Sequence, residues 1–238
     1  MTTIAPENPP NQGLPKQGFP KQGFLRSNIE VFLAVLLGLV SIATAYASFQ
    51  GALYGGVMTQ SYTIGSNLAT EAESLYLEGN QQYVQDAQLY DRLTDLQLDI
   101  ANPDAAISAA AQIKYDTIYF QSVSEDLDAA ILWADEQNAA DPNLWYSPLD
   151  NDDYRETLFG GYRDVKEQAD ATIAKGDEAN ALGDRLTLAT VIMAIALFLL
   201  GISAVVRNYP VKLIMASFAI VIFLAAAVFA ATIPMLTL

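Results

Sequence analysis

LTLATVIMAIALFLLGISAVV (residues 186–206) and LIMASFAIVIFLAAAVFAATIPML (residues 213–236) carry no charged side chain, and six residues including Arg207, Asn208, Tyr209 and Pro210 separate them. At a rise of about 1.5 Å per residue, each run crosses the roughly 30 Å hydrocarbon core of a bilayer as a helix. Pro210 ends a helix and the link is short, so the two runs are expected to form an antiparallel hairpin. Upstream, residues 29–50 are apolar apart from Glu30, Gln50 and small hydroxyl residues, which predicts a first span of the same length. Lys16, Lys21 and Arg26 before that run, and Ala45-Tyr46-Ala47 within it, also fit a signal peptide with a small-residue cleavage site. The long region ahead of the apolar core favours a retained helix.

Charge is distributed as unevenly as hydrophobicity. The chain of 238 residues has a formal charge of -15, yet 25 of its 27 Asp and Glu and seven of its 12 Lys and Arg lie in residues 51–185, which alone carry -18. Such a surface disfavours nucleic acid and anionic headgroups, and suits a solvated domain, divalent cations or basic partners. The tail and the hairpin link must share a side of the membrane, and both are basic (Lys16, Lys21, Arg26; Arg207, Lys212), whereas residues 51–90 contain no Lys or Arg. The positive-inside rule then places the amino terminus and the link in the cytoplasm of a multi-pass plasma-membrane protein. The acidic segment and the carboxyl terminus are placed outside; Lys166, Lys175 and Arg185 run against this assignment.

The expected organisation is an all-α membrane protein. A cytoplasmic tail (residues 1–28) precedes a first span (29–50), an acidic extracytoplasmic domain (51–185), a second span (186–206), a cytoplasmic turn (207–212) and a third span (213–237). The tail repeats a five-residue unit, NQGLP, KQGFP, KQGFL over residues 11–25, and its Pro and Gly content predicts disorder. In the acidic segment Leu68, Leu75, Leu89 and Leu96 form a heptad row broken by Gln82, with Tyr76, Tyr83 and Tyr90 beside it. That stripe predicts a packing helix. Asn102 as N-cap with Pro103 at the first position predicts a second helix, in which Ile113, Phe120, Val123, Leu127 and Ile131 recur at helical spacing until Asp141-Pro142 ends it. A third is predicted from Asp153, with Glu156 closing a capping box, and it contains no proline before the second span. A helical bundle results, formed partly by extensions of the first and second spans.

Chemistry is constrained by absences. The chain has no Cys and no His, which removes thiolate and imidazole nucleophile pairs and nearly all transition-metal sites, and it holds no phosphate loop, dinucleotide fingerprint or nucleophile elbow. No enzyme and no cofactor is expected. Ala43, Ala47, Gly51 and Gly55 recur every four residues, the spacing that lets helices approach backbone to backbone within a chain or between subunits. Asp150, Asp152, Asp153 and Glu156 form the richest carboxylate cluster. Arg155 stands where a calcium loop needs glycine and Gly161 where it needs glutamate, so weak divalent binding competes with helix capping and solvation. Trp133, Trp145, Tyr146 and the tyrosine rows suit either an aromatic pocket or a core.

The segment ASFQGALYGGVMTQSY (residues 47–62) at the end of the first span is followed by a long helical region, and residues 180–207 lead into the hairpin. This layout resembles a family of three-span bacterial membrane proteins known as a domain of unknown function. The likeness covers most of residues 29–236 and carries over no catalytic or binding residue; the acidic segment and the repeat tail depart from it. Three roles remain open. The first is a non-enzymatic structural or accessory protein assembling with itself or with other membrane subunits; the second is an extracytoplasmic ligand sensor that signals through a partner. The third is a homo-oligomeric cation channel lined by Ser41, Thr44, Ser48 and Gln50.

Overall fold

No proline interrupts the chain between Phe24 and Asn102, and there the computed structural model has a single helix, α1 (Phe24–Ile100, 77 residues). The structure describes residues 24–141 and 143–237, with side chains from residue 28; the repeat tail lies outside them apart from its last residues. After α1 come α2 (Ala105–Ser122), α3 (Glu125–Ala140), a single 3-10 turn (Pro148–Asp150), α4 (Asp152–Val205) and α5 (Tyr209–Ala231). There is no strand among the described residues. Three helices, α1, α4 and α5, are long and apolar enough to cross a membrane.

Several helix ends differ from expectation, each for a local reason. The N-cap of α2 is Asp104, not Asn102: its carboxylate accepts from the Ala106 amide at 2.9 Å, while Asn102 closes a tight turn by accepting from the Asp104 amide at 3.0 Å. The expected long second helix is two, because Val123 is extended and Ser124 starts α3 by accepting from the Leu127 amide at 3.2 Å. Glu125, Asp126 and Asp128 in the first turn complement the helix dipole. At α4 the cap is Asn151, which accepts from the Tyr154 amide at 2.8 Å; Glu156 turns instead to an ion pair with Arg163, so no capping box forms on Asp153. Pro210 opens α5 instead of closing a turn, since a first-turn residue needs no amide hydrogen. Lys212 consequently lies within a helix.

The chain divides into two compact units. The first joins the described residues up to Ser48 with Leu188–Thr232; the second joins Phe49–Thr187 with the residues from Ile233 onward. In the first unit, Leu33 and Val40 of α1 are buried, as are Ala189, Met193, Ala196, Leu200 and Ser203 of α4 and Ala216, Ala219, Phe223, Ala226 and Ala230 of α5. The α4 and α5 interiors are therefore mostly small, the composition that allows close packing in lipid. Large apolar side chains such as Phe32, Ile42, Phe198, Ile214 and Phe218 face outward. Lys212 is 7% exposed with its ammonium 3.8 Å from a Glu30 carboxylate oxygen, and its carbonyl accepts the Ser203 hydroxyl at 2.9 Å.

In the second unit α1 and α4 pack through their backbones. Gly65, Ala72, Gly79, Asp86 and Leu93 repeat every seven residues on α1 and are all buried; Ala169, Gly176 and Gly183 repeat likewise on α4, the first two buried and Gly183 half-buried. A side chain at Gly79 would overlap the Leu158 carbonyl, and one at Gly176 would stand 2.7 Å from the Tyr62 ring. The leucine row at 68, 75, 89 and 96 flanks this contact: Leu96 is buried and the other three are half-buried. The small-residue ladder is not one contact face. Ala47 is buried and Gly51 faces Leu186 and Gly183 of the same chain, but Ala43 is half-buried and Gly55 has open space where a side chain would go.

This packing separates two glycines of the same helix. Gly79→Ala is expected to destabilise the fold by about 1–3 kcal/mol through overpacking against backbone. Gly55→Ala is expected to be neutral or stabilising by up to about 1 kcal/mol from helix propensity. Thermal unfolding of both variants in one detergent checks the contrast.

Candidate functional site

The ends of α1 and α4 converge with α2 and α3 on a cluster of Leu93, Leu127, Ala130, Ile131 and Tyr154, against which Tyr83, Leu89, Tyr90, Tyr115, Ile118, Tyr119, Val123, Leu149 and Leu158 pack. Apolar burial of this size is what holds two short helices on two long ones. Polar groups enter the cluster only with partners. Asp86, 3% exposed, accepts from the Tyr154 hydroxyl at 2.7 Å and from the Gln82 amide at 2.8 Å. Tyr119 donates to Asp128, and Gln97 donates to the Tyr115 oxygen at 3.3 Å. Among the described residues, no buried side-chain nitrogen or oxygen lacks a partner.

The tyrosines follow their surroundings. Burial, then the hydrogen bond to Asp86 and the charge of that carboxylate, push the Tyr154 hydroxyl far above its ordinary 10.0. Burial followed by the bond to Asp128 does the same to Tyr119. Both hydroxyls are thus held as proton donors to carboxylates.

Outside the cluster, α2 and α3 present a different surface. Tyr115, Asp116, Tyr119 and Phe120 of α2 and Ile131, Leu132 and Asp135 of α3 line a shallow groove of about 310 Å³. Phe120 is 90% exposed and Ile113, one heptad earlier, 69% exposed; Leu132 is also exposed. Ile113 and Phe120 recur at helical spacing yet lie outward because α2 turns Tyr115, Ile118 and Tyr119 to the cluster, with the Tyr115 and Tyr119 rings stacked at 5.6 Å. Nothing in the residue pattern separated these two faces, since both are apolar. Trp133 meets Tyr146 edge-on at 5.8 Å, whereas Trp145 is largely exposed.

The carboxylate cluster is spread along a helix start. Asp150 ends the 3-10 turn, Asp152 and Asp153 occupy the first turn of α4, and Glu156 pairs with Arg163. No three carboxylates among the described residues come together as a metal-holding group. Of the four residues expected on a pore face, Gln50 is buried and exchanges two hydrogen bonds with Leu236, donating to its carbonyl at 3.1 Å and accepting from its amide at 3.0 Å. Thr44 donates to the Val40 carbonyl at 2.7 Å, and Ser41 and Ser48 are exposed. Tyr54 donates to the Pro234 carbonyl at 2.7 Å, a second tie to the same C-terminal segment.

Fold and surface together define an all-helical protein with three helices of membrane-crossing length and an unpartnered apolar face on two short helices. Compared with protein-family models, with curated proteins and with solved structures, the chain matches none.

Removing the Tyr154 hydroxyl leaves a buried carboxylate short of one donor. Tyr154→Phe is therefore expected to cost about 1–3 kcal/mol in denaturant unfolding. The alkaline limb follows from the raised hydroxyls: above pH 10 the unfolded chain releases protons that folded Tyr154 and Tyr119 retain, so their stabilisation is complete below pH 10 and falls as pH rises. Phenolate absorbance should show both tyrosines ionising only as the helices melt, with Tyr154→Phe removing one from that late group.

Proposed function

We propose that the chain is a multi-pass plasma-membrane protein that acts as a non-enzymatic structural or accessory subunit. Its amino terminus and α4–α5 turn are cytoplasmic, and residues 51–185 form an extracytoplasmic helical bundle built on extensions of the first two spans. Membership of the three-span family of unknown function belongs to the same proposal and rests on residues 47–62 and 180–207. Sidedness is supported by the basic tail and by Arg207, which is exposed, whereas Lys212 is spent on Glu30.

The observation that carries the role is the outward apolar surface of α2 and α3. A monomer that places Phe120 and Ile113 in water forgoes roughly 25 cal/mol for each square ångström left wet, and contiguous exposed apolar residues mark interaction sites.

Native mass spectrometry of particles extracted gently from the source membrane tests the role. A mass above the 25.8 kDa of one chain, from copies or foreign subunits at fixed ratio, is expected; a lone chain ends the proposal. Sidedness is tested separately, and the absence of cysteine makes it clean. Glu178→Cys should react with an impermeant maleimide on intact cells, and Asn208→Cys only after permeabilisation. The reverse pattern would invert the topology.

A further inference from the structure

The face that suggests assembly also carries information about what binds it. Its apolar residues, Ile113, Phe120 and Leu132, stand beside Asp116 and Asp135 on helices that hold six Asp and Glu against the single Lys114. We propose that the α2–α3 groove docks a basic partner segment, a helix or strand of another protein whose apolar anchor is flanked by Lys or Arg. The inference rests on the accessory-subunit reading and supplies the chemistry of its partner.

Charge selects among the occupants. A second copy binding face to face would bring one acidic patch, with its Asp116 and Asp135, against another like it, since a two-fold interface sets the same patch on both sides. Anionic lipid is repelled for the same reason. A neutral apolar segment would fill the groove but leave the carboxylates dehydrated at its rim without a counter-charge, which costs affinity. A basic segment satisfies both features: its anchor enters between Phe120 and Leu132, and its cations lie over Asp116 and Asp135. The exposed Phe120 ring adds cation–π attraction for Arg or Lys.

The test uses the full chain in nanodiscs of zwitterionic lipid, with a synthetic amphipathic peptide bearing Leu on one face and Lys on the other. The same peptide with Glu for Lys and empty nanodiscs are the controls. Fluorescence anisotropy should show binding of the Lys peptide alone. Phe120→Ser and the pair D116K/D135K should each weaken it at least about tenfold, as expected of central contacts. The pair E167K/E178K, which changes net charge equally on α4, should leave it within about threefold. Equal loss in the two charge-reversed pairs would mean diffuse attraction to an acidic surface and would overturn the proposal; so would unchanged binding by Phe120→Ser. These variants are exposed, and helical circular dichroism checks that they fold. A lone chain in the native mass experiment together with site-specific peptide binding would fail the accessory reading while the groove's chemistry stood.

Discussion

The second unit depends on α1 and α4 coming close enough for their backbones to touch. Helices with ordinary side chains pack about 8–10 Å apart, and only Gly or Ala at successive contact positions allows less. Here those positions recur at seven-residue spacing on both partners, Gly65, Ala72 and Gly79 on α1 and Ala169, Gly176 and Gly183 on α4; Gly65 meets Ala169 and Ile173, Gly79 the Leu158 backbone and Gly176 the Tyr62 ring. A repeat of seven keeps one face of a helix toward its partner over many turns, whereas 3.6-residue geometry alone would let it drift. A second buried row at the same seven-residue spacing, Leu33, Val40, Ala47, Tyr54 and Ser61, runs on α1 four residues out of register with the first and leads in sequence to the leucines at 68 and 75. One periodicity therefore serves stretches of helix of very different composition, apolar at one end and acidic at the other.

This explains why the helices and spans could be read from residues 24–236 while the contact itself could not. Hydrophobic runs and the lack of proline announce long helices directly. The leucines at 68, 75, 89 and 96 drew attention because they are apolar, but they flank the contact; the residues at its centre are Gly, Ala and Asp, which a hydrophobicity pattern scores as gaps. Glycine in a helix interior costs stability, so four of them retained at regular spacing on two helices is a signal, visible once spacing is weighed above polarity. The break at Val123 was missed for a related reason: apolar periodicity passes through it unaltered, and only Ser124 with three acids after it marks the new start. The exposed face of α2 was illegible because a helix apolar on two sides does not say which side is core.

Asp86 and Lys212 show how charge is admitted to such packing. Each occupies a position where a seven-residue row would ordinarily hold an apolar side chain, and each meets opposite or complementary groups: Tyr154 and Gln82 donate to the carboxylate, and Glu30 lies 3.8 Å from the ammonium. Replacing a well-paired buried polar group with an apolar one is often neutral for stability, so energy alone does not account for them. Register does. A slide of α4 along α1 would strand Asp86 without the Tyr154 hydroxyl. The glycine rows set the distance between the helices, and the aspartate sets which residues meet.

A similar economy governs the end of the chain. Past Ala231 the backbone leaves helical geometry, and Thr232 caps α5 by donating its hydroxyl to the Phe229 carbonyl at 2.7 Å. Beyond that point neither helix nor sheet offers partners to the backbone, while the Ile233 side chain is buried. Gln50 solves this with one side chain, because an amide presents a donor and an acceptor together and so pairs with a backbone residue as a neighbouring strand would. Tyr54, one turn on, accommodates the Pro234 carbonyl. A glutamine in an apolar run first suggests a path for ions; here its amide exchanges two hydrogen bonds with Leu236. Gln50 thus fastens Leu236 to α1, on a face of that helix different from the one that carries the exposed Ser41 and Ser48.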